Sequence, residues 1–175
     1  MLTTRDLSVV DFLNYYKIAS TSTIEQLIYK SKRVCQRRMK ELVNEGKVKR
    51  TRASLNQEYI YYVKMPKQWK HSLLVTDFFR EFSKTHDIVK FFIEPDFITM
   101  RPDAFFSYRQ NGRTYIGFLE VELSHKGFDF AKYERFASEE TYRQKNIPFM
   151  PPVFVIGNVK LPESSKVKYF KYDLN

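Results

Sequence analysis

Residues 101–124 read RPDAFFSYRQNGRTYIGFLEVELS. Asn111-Gly112 is the pair favoured in a two-residue type I′ turn, whose left-handed central dihedrals match the twist of two antiparallel strands. The flanking runs alternate in polarity as strands do. The stretch therefore predicts a hairpin with Gln110 opposite Arg113, in which facing positions sum to 223. This register sets Asp103 opposite Glu120 and Arg101 opposite Glu122. Facing side chains share one side of a sheet with their β-carbons about 5 Å apart, and Glu122, two residues beyond Glu120, points the same way.

Three carboxylates on one face destabilise a sheet unless a cation, a proton or an arginine compensates them. A divalent cation, magnesium or manganese, between Asp103 and Glu120 would make a centre that activates water and polarises a phosphate. An ion pair between Arg101 and Glu122 would instead make a structural charge network. On the residues alone both readings stay open. Around the hairpin the pattern predicts a helix over Trp69–Phe82, a strand over Ile88–Ile93, a helix over 128–146 and strands over Val153–Ile156 and Val167–Tyr172. This is an α/β unit on a mixed sheet, and with the more helical N-terminal part the fold class is α+β or α/β.

The chain has 175 residues, 43% hydrophobic and 17% aromatic, with 5 Gly and 7 Pro, the composition of a folded protein. No apolar run reaches the ~20 residues needed to span a bilayer, and the first residues lack the apolar core of a secretion signal, so a cytoplasmic location and no membrane partner are expected. One cysteine, Cys35, allows no internal disulfide, and three scattered histidines offer no zinc spacing, so no structural metal is expected.

Charge is distributed unevenly. Residues 1–70 hold 15 Lys and Arg against 6 Asp and Glu, a net of +9, whereas residues 71–175 hold 15 against 14. A field of that sign attracts a polyanion, because neutralising phosphates releases condensed counterions.

The same region is patterned. TTRDLSVVDFLNYYKIAS suits an amphipathic helix with Leu7, Val10, Leu13 and Ile18 inward. Ser22-Thr23-Ile24-Glu25 fits a capping box opening a second helix to Tyr29. Ser31 caps a third, ended by Gly46. In that third helix Val34, Cys35, Met39, Leu42 and Val43 form one side, and Lys32, Arg33, Gln36, Arg37 and Lys40 the other. Long cationic and amide side chains in the first turns of such a helix are what a major groove requires, since Arg and Lys reach guanine acceptors and Gln reaches adenine. Arg38 borders the core and is a candidate phosphate contact. Gly46 to Arg52 and Tyr59 to Val63 read as two strands of a hairpin whose first arm is basic.

Three helices followed by a basic hairpin resemble a winged helix-turn-helix over residues 3–64. The resemblance implies a DNA-binding domain over 1–66, with Lys32, Arg33, Gln36, Arg37 and Lys40 toward bases and Lys49, Arg50 and Arg52 along phosphates or in a minor groove. The remainder, 67–175, resembles the PD-(D/E)XK nuclease superfamily in Pro102-Asp103 and Glu120-Val121-Glu122. That likeness implies Asp103 and Glu120 as metal ligands and Glu81 as the acidic position of the preceding helix. Position 122, where the family has the lysine that assists the attacking water, holds Glu122 here, and His125 or Lys126 are the candidates to replace it. The succession of winged helix, RPDA, hairpin, acidic strand end and Lys132-Tyr133-Glu134-Arg135-Phe136 is similar to the replication-relaxation family of plasmids and integrative elements. This implies an accessory factor that binds double-stranded DNA in replication or mobilisation, with a relaxase or replication protein as partner, a homodimer as a second possibility, and no cofactor unless the domain cleaves. A magnesium- or manganese-dependent endonuclease using Asp103, Glu120, Glu122 and Glu81, and a transcriptional repressor, are the alternatives.

Overall fold

In the computed structural model, which describes residues 2–124 and 128–174, the chain divides into two compact units, Met1–Arg80 and Glu81–Asn175. The division falls in the last turn of a helix rather than ahead of it at residues 66 and 67. Six α-helices, a π-helical turn and two sheets are formed among the described residues, a mixed α+β protein. No described helix is long and apolar enough to cross a membrane.

The first unit opens with α1, Thr4–Tyr16. Thr3 and Asp6 form a reciprocal capping box: the Thr3 hydroxyl oxygen accepts from the Asp6 amide at 3.3 Å, and the Asp6 carboxylate accepts from the Thr3 amide at 2.6 Å. The inward face is Asp6, Val9 and Leu13, all at most 1% exposed, whereas Leu7 is 51% exposed and not the core residue that hydropathy suggests. Lys17, at φ 72°, stops the helix, and Ile18–Ser20 leave it as β1. Ser20, not Ser22, caps the next helix by accepting from the Thr23 amide at 3.1 Å. That helix, α2, runs Thr21–Ile24 and continues as a π-helical turn over Glu25–Tyr29.

Helix α3, Lys32–Asn44, buries Cys35, Met39 and Leu42 completely. Each such side chain contributes about 1.5–3 kcal/mol relative to exposure. Gly46, at φ 68°, closes the helix, and the Lys47 amide donates back to the Leu42 carbonyl at 2.9 Å. The strands β2, Lys49–Thr51, and β3, Ile60–Tyr62, then form a hairpin. They join β1 in an antiparallel sheet of order β1-β3-β2. Helix α4, Trp69–Phe82, belongs mainly to this unit. Phe79 packs 5.1 Å from Tyr16 between ring centres, and Gln26 donates to the Arg80 carbonyl at 3.0 Å.

The second unit is a five-stranded sheet of order β4-β5-β6-β7-β8. Its strands are β4 Asp87–Ile93, β5 Ala104–Gln110, β6 Arg113–Val121, β7 Val153–Ile156 and β8 Tyr169–Lys171. The first three are antiparallel and the last three parallel. Asn111 and Gly112 take φ 50° and 73°, and Gln110 faces Arg113, so the hairpin has the register its turn dictates. The predicted helix over 128–146 is two helices, α5 Ala131–Ser138 and α6 Thr141–Gln144, separated where Glu140 turns to φ 49°. Alternation divides the sheet into two aromatic faces. Phe118 and Phe105 lie with Phe97, Tyr133 and Phe136 on the α5 side. Phe106 and Phe154 meet Phe82 on the other.

Candidate nucleic-acid interface and the acidic pair

Because α3 buries Cys35, Met39 and Leu42, its 3.6-residue period turns Lys32, Arg33, Gln36, Arg37 and Lys40 outward, and all five are exposed. Arg37 keeps 70% of its side chain in solvent, and its approach to Glu41 at 4.0 Å is of the weak helical kind. Arg38 has a different role from the phosphate contact suggested by its place in the sequence. Its guanidinium is held by the fully buried Asp6 carboxylate and by Glu41, with Nε 3.1 Å from Asp6 Oδ1. The Tyr29 hydroxyl donates to the same carboxylate at 2.6 Å. Burial opposes ionisation of Asp6, but hydrogen bonds from Arg38, Tyr29 and Thr3 hold its carboxyl well below the usual carboxylate range.

Lys49, Arg50 and Arg52 are exposed on the hairpin. Both arginines rest on one ring: the guanidinium carbons of Arg50 and Arg52 lie 4.1 Å and 3.7 Å from the centre of Tyr59. Such stacking fixes flexible cations at a cost of little desolvation. The hairpin is tied to α2 by Glu58, whose carboxylate accepts from the Ser22 amide at 2.8 Å and the Ser22 hydroxyl at 2.5 Å. Tyr59 and Glu58 do not stand out in the sequence, because each acts through a partner that only the fold supplies.

In the second unit the expected acidic cluster is reduced to a pair. Asp103 precedes β5, and its Oδ2 accepts from the Val121 amide at 2.6 Å. It thereby takes the place of a strand acceptor just beyond Ala104, the last paired residue of β5. Glu120, 5% exposed, faces α5. Its Oε1 receives both the Tyr133 hydroxyl and the Lys132 ammonium at 2.5 Å. Burial, reinforced by the Asp103 charge, pushes the Glu120 carboxyl up to about 7 against the opposing pull of Lys132 and Tyr133.

The other predicted members lie elsewhere. Arg101 pairs not with Glu122 but with Glu94, its Nε donating to the Glu94 carbonyl at 2.9 Å and its Nη2 lying 3.2 Å from the Glu94 carboxylate. The ladder ends at Ala104, so the facing pair of 101 and 122 is never formed. The Glu122 carboxylate turns along the chain to accept from the Ser124 amide at 2.5 Å. Glu81 pairs with Lys84 at 2.6 Å, and the adjacent Phe82 packs on the sheet face opposite to Glu120. No group of three or more His, Cys, Asp or Glu able to hold a metal forms among the described residues. His125 and Lys126 lie outside the described residues.

A hard divalent cation needs carboxylate oxygens free to turn toward it. Here one Asp103 oxygen holds a strand amide, and the Glu120 oxygen that faces α5 holds an ammonium and a phenol. The described residues, with Asp103 on an amide and Glu120 on an ammonium and a phenol, do not fit magnesium or manganese. Lys132 and Tyr133 are the residues that the sequence reading did not assign a role here, although a tyrosine within the apolar stripe of Tyr133 and Phe136 is a signal that a polar partner must be supplied. No protein-family model, curated protein or solved structure matches the chain.

Proposed function

We propose that the protein binds double-stranded DNA through its first unit, as a winged helix-turn-helix. Helix α3 enters the major groove and the β2-β3 hairpin follows the backbone or the adjacent minor groove. The observation that supports this most is the sorting of α3: five long polar side chains, Lys32, Arg33, Gln36, Arg37 and Lys40, stand exposed opposite a fully buried apolar face. The basic hairpin, with Arg50 and Arg52 held against Tyr59, extends the same charge. The second unit is a nuclease-like module that does not cut and serves dimerisation or the recruitment of a relaxase or replication protein. The biological setting is replication or mobilisation of a plasmid or conjugative element, which rests on the similarity of the motif order to the replication-relaxation family.

Fluorescence anisotropy with a labelled duplex tests the proposal. Three phosphate contacts, by Lys49, Arg50 and Arg52, predict that affinity falls by about 40-fold between about 50 and 200 mM salt. Binding that is absent at low salt, or insensitive to salt, contradicts it.

A further inference from the structure

A carboxylate withdrawn from water on a central strand, as Glu120 is, demands a compensating cation. In the second unit that cation is covalently part of the chain. We infer that the Lys132 ammonium takes the place a divalent cation would take at Glu120, so that this unit refuses magnesium and manganese and holds that carboxylate with an internal counter-ion. The inference rests on reading the second unit as a nuclease-like module without catalysis.

Four observations carry it. The Lys132 ammonium lies 2.5 Å from Glu120 Oε1, with side-chain exposures of 25% and 7%, so the pair is largely withdrawn from water. Attraction in such a place is much stronger than between surface charges. Tyr133, the next residue of α5, puts its hydroxyl on the same oxygen at 2.5 Å, so the helix grips the carboxylate with two donors from its first turn. The Lys132 ammonium lies 5.6 Å and 5.2 Å from the ring centres of Phe128 and Tyr133, which limits where it can swing. Asp103, finally, has its Oδ2 engaged by the Val121 amide at the end of β6, so an entering metal would depend on the Glu120 oxygen that Lys132 holds. A dication entering beside Glu120 would meet the ammonium at contact range and be repelled. The cation expected from Arg101 on Glu122 is thus supplied instead on Glu120, by one residue of α5.

The test uses the full chain, with melting temperature and the electron paramagnetic resonance signal of free manganese as readouts. The native protein is expected to melt at the same temperature in chelator, magnesium or manganese, and to leave the manganese signal undiminished. Lys132→Met is expected to melt lower in chelator and to recover by about 4 °C or more in manganese, with loss of free-manganese signal. Lys132→Arg keeps the charge and is expected to remain blind to metal. If Lys132→Met does not fold in chelator, recovery of its circular dichroism by manganese is the equivalent readout. Glu120→Gln/Lys132→Met, which removes both charges, is expected to fold and to ignore manganese. Metal binding by the native protein, an unchanged melt of Lys132→Met in chelator, or no recovery of that variant by manganese would each overturn the inference. Duplex affinity, measured in parallel, reports separately on the first unit: its absence would defeat the DNA-binding proposal and leave the metal result standing.

Discussion

Arg38 and Asp6 form a buried ion pair that joins α3 to the first turn of α1. The carboxylate is wholly inaccessible and takes further hydrogen bonds from Thr3 and from the Tyr29 hydroxyl. Asp6→Asn removes the charge that Arg38, Thr3 and Tyr29 converge on and leaves Arg38 with Glu41 alone, so it is expected to cost about 1–3 kcal/mol at neutral pH. The helix that carries the proposed reading face is therefore positioned by a charge rather than by apolar contact alone. Because the folded carboxyl titrates below its unfolded value, the stabilisation is present above the unfolded carboxylate pKa of about 4 and is lost as pH falls beneath it. Thermal melts between about pH 6 and 3, which bracket that value, check this: the native protein should lose stability more steeply on acidification than Asp6→Asn, and parallel curves would contradict it.

Tyr59 holds Arg50 and Arg52 at once. Replacing it with leucine keeps apolar bulk and removes the cation–π contacts, worth about 0.5–1 kcal/mol each at exposed positions. The expected result is a loss of duplex affinity of about fivefold to tenfold with little change in melting temperature. Titration of labelled duplex with Tyr59→Leu measures it.

Glu58 ties the hairpin to the start of α2 through both the amide and the hydroxyl of Ser22. Glu58→Ala removes the acceptor for both and is expected to cost about 1 kcal/mol, given that the site is exposed and water replaces the lost partner. Chemical denaturation measures the loss, and hydrogen exchange at the Ser22 amide should accelerate in the variant.

Gly157 follows β7 at φ 142°, and a β-carbon there would lie 2.2 Å from the Glu122 carbonyl oxygen. The Glu122 amide meanwhile donates to the Ile156 carbonyl at 2.8 Å, so the two backbones cannot easily part. Gly157→Ala is expected to destabilise the second unit by about 1–3 kcal/mol, as overpacking does, while duplex affinity stays as in the native protein. Denaturant unfolding together with anisotropy checks both halves.

What could be read from the sequence was what short-range chemistry controls. Asn111-Gly112 set the hairpin register through its own dihedrals, and the apolar period of α3 sorted Cys35, Met39 and Leu42 from Lys32, Arg33 and Arg37. Interactions between distant residues were hidden. Ser22 looked like a cap, yet its amide and hydroxyl serve Glu58, 36 residues away, and Ser20 caps instead. Ile18 to Ser20 read as the tail of a helix, but Lys17 reverses its backbone and β3 captures them as a strand. Asp6, a charge within the first helix, is in the core because Arg38 arrives from 32 residues on. The Arg101–Glu122 pairing failed because extrapolating a register assumes that the ladder continues, and it ends at Ala104. Lys132 could not be paired with Glu120 from spacing, since a helix from the β6-β7 connection brings it there.

The central claim is that α3 and the β2-β3 hairpin grip duplex DNA. Amide spectra of the nitrogen-15-labelled protein, recorded as duplex is added at low salt, locate the contact residue by residue. The account predicts shifts concentrated at residues 31–40 and 49–59, reversed by added salt. Shifts confined to the five-stranded sheet of the second unit, with α3 and the hairpin unmoved, would contradict it.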